Sequence, residues 1–281
     1  MSYTQIINRA HPSAFVFIVD QSGSMSERWG AGNMSKAEQV ATIINRQLFN
    51  LSIRCTKGEG VRDYFDVAVI GYGKSVEPIL GGNLAGRGLV PVSDIAQHPL
   101  RVEDRTKKID DGAGGLIEQK VRFPVWLDAT ANGGTPMCKA LEYARTLLEP
   151  WVAQHPESHP PVVLHITDGQ STDGDPVPGA QALTDLRTND GQVLLFNAHI
   201  SADAGIPVEF PETDATLADV YSRTLFAMSS VLPHGILVAA NHAGHPVGDG
   251  SRGFVYNADS ANLISFLDIG TSTASAMEAD R

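Results

Sequence analysis

Strand-length apolar runs alternate along this chain with segments whose apolar side chains recur at helical spacing, and that alternation restricts the chain to few folds. The runs are Ala14–Val19, Phe65–Ile70, Val162–Ile166, Val193–Ala198 and Gly235–Ala240. Continuous apolar character implies burial on both faces, the condition of parallel strands covered by helices on two sides. Between the first two runs, Lys36–Leu51 sets Val40, Ile43, Ile44, Gln47 and Leu48 on one helical face, with Ser35 as a cap. Lys139–Val152 repeats the pattern with Leu141, Ala144, Leu147 and Leu148, and Leu217–Val231 does so with Val220, Leu225 and Met228. The expected fold class is α/β: three layers, doubly wound, around a mostly parallel sheet.

Val76–Leu80 follows the tight turn Gly71-Tyr72-Gly73, so antiparallel pairing is expected, and Pro78 places it at the sheet edge as one short antiparallel strand. The segment 81–123 is rich in Gly, Asp, Arg and Lys and lacks helical periodicity. It is expected to be a hairpin-like insertion over the domain rim, with strands at Leu89–Val92 and Ile117–Val125, the alternative being a disordered loop. Phe254–Tyr256 reads as a short strand, and a helix beginning near Ser260 turns Leu263, Ile264 and Leu267 inward. Residues 1–281 are read as one domain, with 271–281 as a flexible tail of small and polar residues.

Composition excludes several partners. Acidic residues outnumber basic ones by 32 − 21 = 11, and no Lys/Arg cluster is present to neutralise a row of phosphates, which argues against nucleic acid and anionic membranes. No stretch of eighteen apolar residues occurs, and Met1–Arg9 lacks the charged start and apolar core of a secretory signal. Cys55 and Cys138 lie far apart and form no disulfide framework; both are expected to be packing residues. A cytoplasmic protein is expected.

The chemistry gathers at three loops. Asp20, Ser22 and Ser24 place one carboxylate and two hydroxyls at alternate positions just after the first apolar run. Asn132-Gly133-Gly134-Thr135-Pro136 precedes the helix at Lys139, and Thr167-Asp168-Gly169 follows the run Val162–Ile166. In an open α/β sheet the loops at the carboxyl ends of the strands meet along one edge. Oxygen-only ligands suit Mg²⁺, and equally Mn²⁺ or Ca²⁺, whereas zinc and copper favour imidazole or thiolate.

Asp-x-Ser-x-Ser at Asp20, Ser22 and Ser24, then a distant Thr135 and a distant Asp168 in Gly-Gly-Thr-Pro and Thr-Asp-Gly contexts, resembles the von Willebrand factor type A domain and its metal-ion-dependent adhesion site. The likeness covers the element order of nearly the whole chain and is strongest to the bacterial intracellular, tellurite-resistance-like branch. It implies that the serines and the threonine ligate a divalent cation directly or through water, while the aspartates balance its charge. It also implies a protein partner that supplies a carboxylate as the last ligand. For the intracellular branch it implies neighbours such as a protein kinase and phosphatase, or a MoxR-type ATPase, in stress-response or defence systems. The segment between Leu80 and Phe123 is longer than the family pattern leads one to expect.

Other signals carry less. Gly71-Tyr72-Gly73-Lys74-Ser75 mimics the end of a phosphate loop, but the required first glycine falls at Ala68. His242, His245 and Asp249 read as loop decoration, His155 and His159 as a solvated turn, and His165 as a hydrogen-bonded core residue. Asp20 stands where a nucleophile elbow around Ser22 needs glycine, so serine nucleophile chemistry is not expected. Asp173 and Asp175 read as rim acids. With Asp168 they offer the alternative of a metal-dependent phosphatase or nuclease; a scaffold with a stabilising ion is a third. The expectation is a binding module, not an enzyme.

Overall fold

The first apolar run becomes β1 (Ser13–Asp20), buried along its whole length. In the computed structural model, which describes residues 2–30, 32–58, 60–110, 116–201, 205–217 and 219–272, it is followed by α1 (Lys36–Arg54), β2 (Phe65–Tyr72) and β3 (Val76–Pro78). Next come β4 (Val90–Pro91), α2 (Val92–Gln97), β5 (Arg101–Asp110) and β6 (Leu116–Val125). The second half runs α3 (Met137–Gln154), β7 (Val162–Thr167), α4 (Val177–Thr184), β8 (Leu194–Ile200), β9 (Val208–Glu209), α5 (Val220–Met228), α6 (His234–His242), β10 (Phe254–Ala258) and α7 (Ser260–Gly270).

Eight strands form one sheet in the order β9-β10-β8-β7-β1-β2-β3, with β4 also pairing with β2. The five from β10 to β2 are parallel. At the margins β3, β4 and β9 pair antiparallel, so the sheet has two such strands beyond the one that the sequence suggested. Successive side chains of a strand point to opposite faces, and β1 uses both. Phe15, Phe17 and Val19 pack with Val40, Ile44 and Leu48 of α1 and with Leu263 and Leu267 of α7. Ala14, Val16 and Ile18 pack with Leu141, Ala144 and Leu148 of α3 and Leu225 of α5. Helices thus cover both faces, and the three-layer doubly wound class holds.

A capping box fixes where α1 begins. Ser35 Oγ accepts from the Glu38 backbone N–H at 3.2 Å, and Glu38 Oε2 accepts from the Ser35 N–H at 2.7 Å. Lys36 is therefore the first helical residue, at a set place beside the loop that follows β1.

Two expectations about elements change. Gly235–Ala240 is not a strand; it lies within α6, with Ile236, Leu237 and Ala240 buried and Val238 39% exposed. That burial pattern is helical, and Pro233 sets the helix start; β10 instead takes the place beside β8. In α5, Val220 does not face inward but is 75% exposed, because the helix starts there rather than at Leu217.

Within the segment 81–123, β4 joins the main sheet, α2 follows, and β5 pairs with β6 in register from Arg101↔Val125 to Asp110↔Leu116 as a separate two-stranded ribbon. The tip 111–115 and residues 273–281, which include most of the expected tail, lie outside the described residues. Thr271 is buried, its hydroxyl donating to the Leu267 carbonyl at 2.9 Å. No helix among the described residues is long and apolar enough to cross a membrane.

Candidate metal centre

Strand order reverses at β1: the chain adds β2 on one side and later β7, β8 and β10 on the other. Such a switch point opens a crevice outside the carboxyl ends of the two strands that flank it. Asp20 is the last residue of β1, Thr167 is the last of β7, and Asp168 follows.

Short hydrogen bonds link the side chains there. Asp20 Oδ1 accepts from the Ser22 backbone N–H at 2.8 Å, and Asp20 Oδ2 accepts from Thr167 Oγ1 at 2.8 Å. Ser22 Oγ lies 3.0 Å from Ser24 Oγ, and Ser24 Oγ donates to Asp168 Oδ1 at 2.7 Å. Asp20 is buried, and its desolvation pushes the carboxyl above the ordinary range against the hydrogen bonds from Ser22 and Thr167.

The threonine loop is brought in by backbone contacts. Asn132 N donates to Gln21 O at 2.6 Å, and Gly23 N donates to Gly133 O at 3.0 Å. Gly133 has φ +91°, and a Cβ there would lie 2.5 Å from Lys74 N, so only glycine fits this approach. Thr135 N donates to Thr172 Oγ1 at 2.9 Å, and Thr172 N donates to Thr135 O at 2.9 Å. A Cβ built on Gly169 would stand 3.7 Å from Thr135 Oγ1, which places that hydroxyl against the turn carrying Asp168. Asp20, Ser22, Ser24 and Asp168 are thus joined in one network, and Thr135 abuts it.

Other acids and histidines are used elsewhere. Asp173 accepts from the backbone N–H groups of Cys138 and Lys139 at 3.0 and 3.1 Å, satisfying the first turn of α3, and Asp175 Oδ1 accepts from Val177 N at 3.0 Å. His242 and Asp249 are exposed, whereas His245 pairs with Glu209 and Ser265. His159 is buried rather than solvated, its Nδ1 2.9 Å from the Pro160 carbonyl, because Pro160 and Pro161 lead directly into β7. His165 is the core residue expected, between Tyr72 and Asn197 at 2.7 and 2.8 Å.

Two residues of the site escaped the sequence reading. Thr167 closes the strand with the hydroxyl that Asp20 accepts. Lys36 Nζ donates to Asp168 Oδ2 at 2.8 Å and to Glu27 Oε2 at 2.7 Å. Burial alone would depress the ammonium, but the hydrogen bonds to Asp168 and Glu27 outweigh it and hold the pKa above the usual lysine value. A lysine in the first turn of a helix opposes the macrodipole, and that was the available signal that it needed an acid.

The donor set fits a hard divalent cation. Asp20, Ser22, Ser24, Thr135 and Asp168 offer oxygen only, from side chains short enough to crowd one ion. Among the described residues no three His, Cys, Asp or Glu side chains converge, so no nitrogen- or sulfur-rich cage competes.

No known family profile matches the chain, and no curated protein does. Solved structures do. The pilus adhesin SpaC from Lactobacillus rhamnosus GG is 14% identical with a TM-score of 0.50, over 96% of this chain and 31% of that one. A von Willebrand factor type A protein from Catenulispora acidiphila is 16% identical with a TM-score of 0.47, over 95% and 43%. The manganese-loaded TRAP protein of Plasmodium vivax is 14% identical with a TM-score of 0.45, over 92% and 72%. The chain spans less than half the length of the first two. At such identities the likeness to SpaC is one of fold.

Proposed function

We propose that this chain is a von Willebrand factor A-type interaction module that grips an acidic side chain of a protein partner through a divalent cation, Mg²⁺ or equally Mn²⁺ or Ca²⁺. The cation would be held by Asp20, Ser22, Ser24, Thr135 and Asp168. The observation that carries the reading is the link from Ser22 through Ser24 to Asp168 across the switch point, with Asp20 and Thr135 beside it. When bound, a divalent cation with few charged ligands supplies an open coordination position for an outside carboxylate. Asp20 and Asp168 furnish the charge, and the three hydroxyls furnish neutral oxygens that leave the site unsaturated.

A binding role is favoured over hydrolysis because the histidines beneath the site are poor bases. His165 and His199 are pushed down to about 4 by burial, and His165 is engaged at both ring nitrogens. Cys55 and Cys138 are unpaired, which suits a reducing cytoplasm. The partner belongs, on the resemblance, with kinase, phosphatase or MoxR-type ATPase neighbours of a bacterial stress-response system.

The test is affinity purification from the native cell with the tagged chain in Mg²⁺ or in EDTA. A partner retained in Mg²⁺ and lost in EDTA, in Asp20→Ala and in Thr135→Ala, with thermal unfolding of both variants still cooperative, is the expected result. Retention in EDTA overturns the reading.

A further inference from the structure

Lys36 places a positive charge in a cluster proposed to hold another one. The Lys36 side chain is 5% exposed and the Asp168 side chain is fully buried, so this is a desolvated ion pair and not a surface contact. Lys36 takes Asp168 Oδ2, and Ser24 takes Oδ1, so each oxygen of the carboxylate already has a protein donor. The capping box at Ser35 and the bond from Lys36 N to Glu27 O at 2.9 Å fix the lysine's backbone in place. Asp20 and Asp168 carry two negative charges, and Lys36 cancels one of them. Glu27 is 60% exposed at its side chain and is screened by water.

Asp168 must then serve two positive charges if a divalent cation enters. Resting on the metal reading above, we propose that Lys36 sets the cation affinity of the site. It holds Asp168 as a shared counter-ion, keeps the bare site a weak binder, and makes firm retention of the cation depend on the acidic side chain that a partner brings. A residue of this kind acts through Asp168 and is a positioning residue. Metal and acidic partner then strengthen one another, because the partner's carboxylate replaces the charge that Lys36 has cancelled.

The test titrates the full chain with Mn²⁺ alone, following free Mn²⁺ by electron paramagnetic resonance. Lys36→Met, of similar length and uncharged, is expected to bind Mn²⁺ at least about tenfold tighter than the unsubstituted chain, while Lys36→Arg stays within about threefold. Lys36→Met is also expected to melt lower without metal and to show the larger rise in Tm when Mn²⁺ is added. Removing the ammonium leaves Asp168 buried and unpaired, so a second pair guards against misfolding: Asp168→Asn and the double variant Lys36→Met/Asp168→Asn. The double variant is expected to bind Mn²⁺ more tightly than Asp168→Asn. Equal or weaker affinity in Lys36→Met, or equal affinity within the second pair, overturns the inference while leaving the metal site standing. Absence of Mn²⁺ binding in the unsubstituted chain and every variant overturns both.

Discussion

Thr167 Oγ1 donates to Asp20 Oδ2 at 2.8 Å, tying the carboxyl end of β7 to that of β1 at the switch point. The two residues are 147 positions apart, so the contact exists only once the sheet has formed. Both are buried, and the Thr167 hydroxyl also accepts from the Gly169 N–H at 3.2 Å, which holds the turn carrying Asp168. Thr167→Val keeps the shape and deletes the donor. It is expected to cost about 1–3 kcal/mol in urea unfolding, the range for stripping a partner from a buried polar group. Thr167→Ser, which restores the hydroxyl, recovers most of the hydrogen-bond loss. If Val and Ser variants unfold at the same urea concentration, the hydroxyl does not hold Asp20.

Gly133 is the backbone hinge on which the Thr135 loop rests. A Cβ at this residue would meet Lys74 N at 2.5 Å and Lys74 Cα at 2.7 Å, both backbone atoms that cannot rotate away, and φ is +91°. Gly133→Ala is therefore expected to lose about 1–3 kcal/mol of stability and to weaken Mn²⁺ binding by displacing Thr135. Gly60, with nothing within 4 Å of its own built Cβ, is the control. Gly60→Ala is expected to leave both quantities nearly unchanged. Equal behaviour of the two variants in calorimetry refutes the steric account.

What could be read from the sequence divides along a physical line. β1, β2, β7 and β8 were legible because burial on both faces leaves an uninterrupted apolar run. The same rule misled at Gly235–Ala240, where a run of six apolar or small residues fits a buried helix turn equally well and only Pro233 marked the start. β5 was invisible because Arg101, Glu103, Asp104 and Arg105 interrupt any apolar run, Glu103 and Arg105 being half-buried and paired with each other, and β9 is too short to leave a pattern. Asp20, Ser22, Ser24, Thr135 and Asp168 could be picked out because each sits in a recognisable loop. Lys36 and Thr167 could not, since their roles depend on contacts 132 and 147 positions away. In sequence Asp173 looks like a rim acid for the same reason: its helix-capping bonds cross 34 and 35 positions.

Beneath the site, His165 joins three strands. Asn197 Nδ2 donates to Ser229 Oγ at 2.9 Å, which turns Asn197 Oδ1 toward His165 Nδ1 at 2.8 Å. The proton therefore sits on Nδ1, and Nε2 accepts from the Tyr72 hydroxyl at 2.7 Å. A second buried imidazole, His199, accepts from Asn257 N at 3.2 Å and stacks on Tyr256 with ring centroids 4.8 Å apart. Burial pushes both rings down to about 4, against about 6.5 in an unfolded chain. Below pH 6.5 the unfolded chain takes up protons that the native one refuses, so the stability that these rings contribute is complete above that value and is lost as pH falls toward 4. Urea unfolding between about pH 7.5 and 5 is expected to show stability falling below pH 6.5, with a slope approaching about 1.4 kcal/mol per pH unit for each histidine. His165→Gln is expected to be less stable at neutral pH, because Nδ1–H loses its place, yet its acid limb is shallower. An unchanged slope in that variant would mean that His165 takes up its proton in the folded protein at the same pH as in the unfolded chain, so that burial does not depress it.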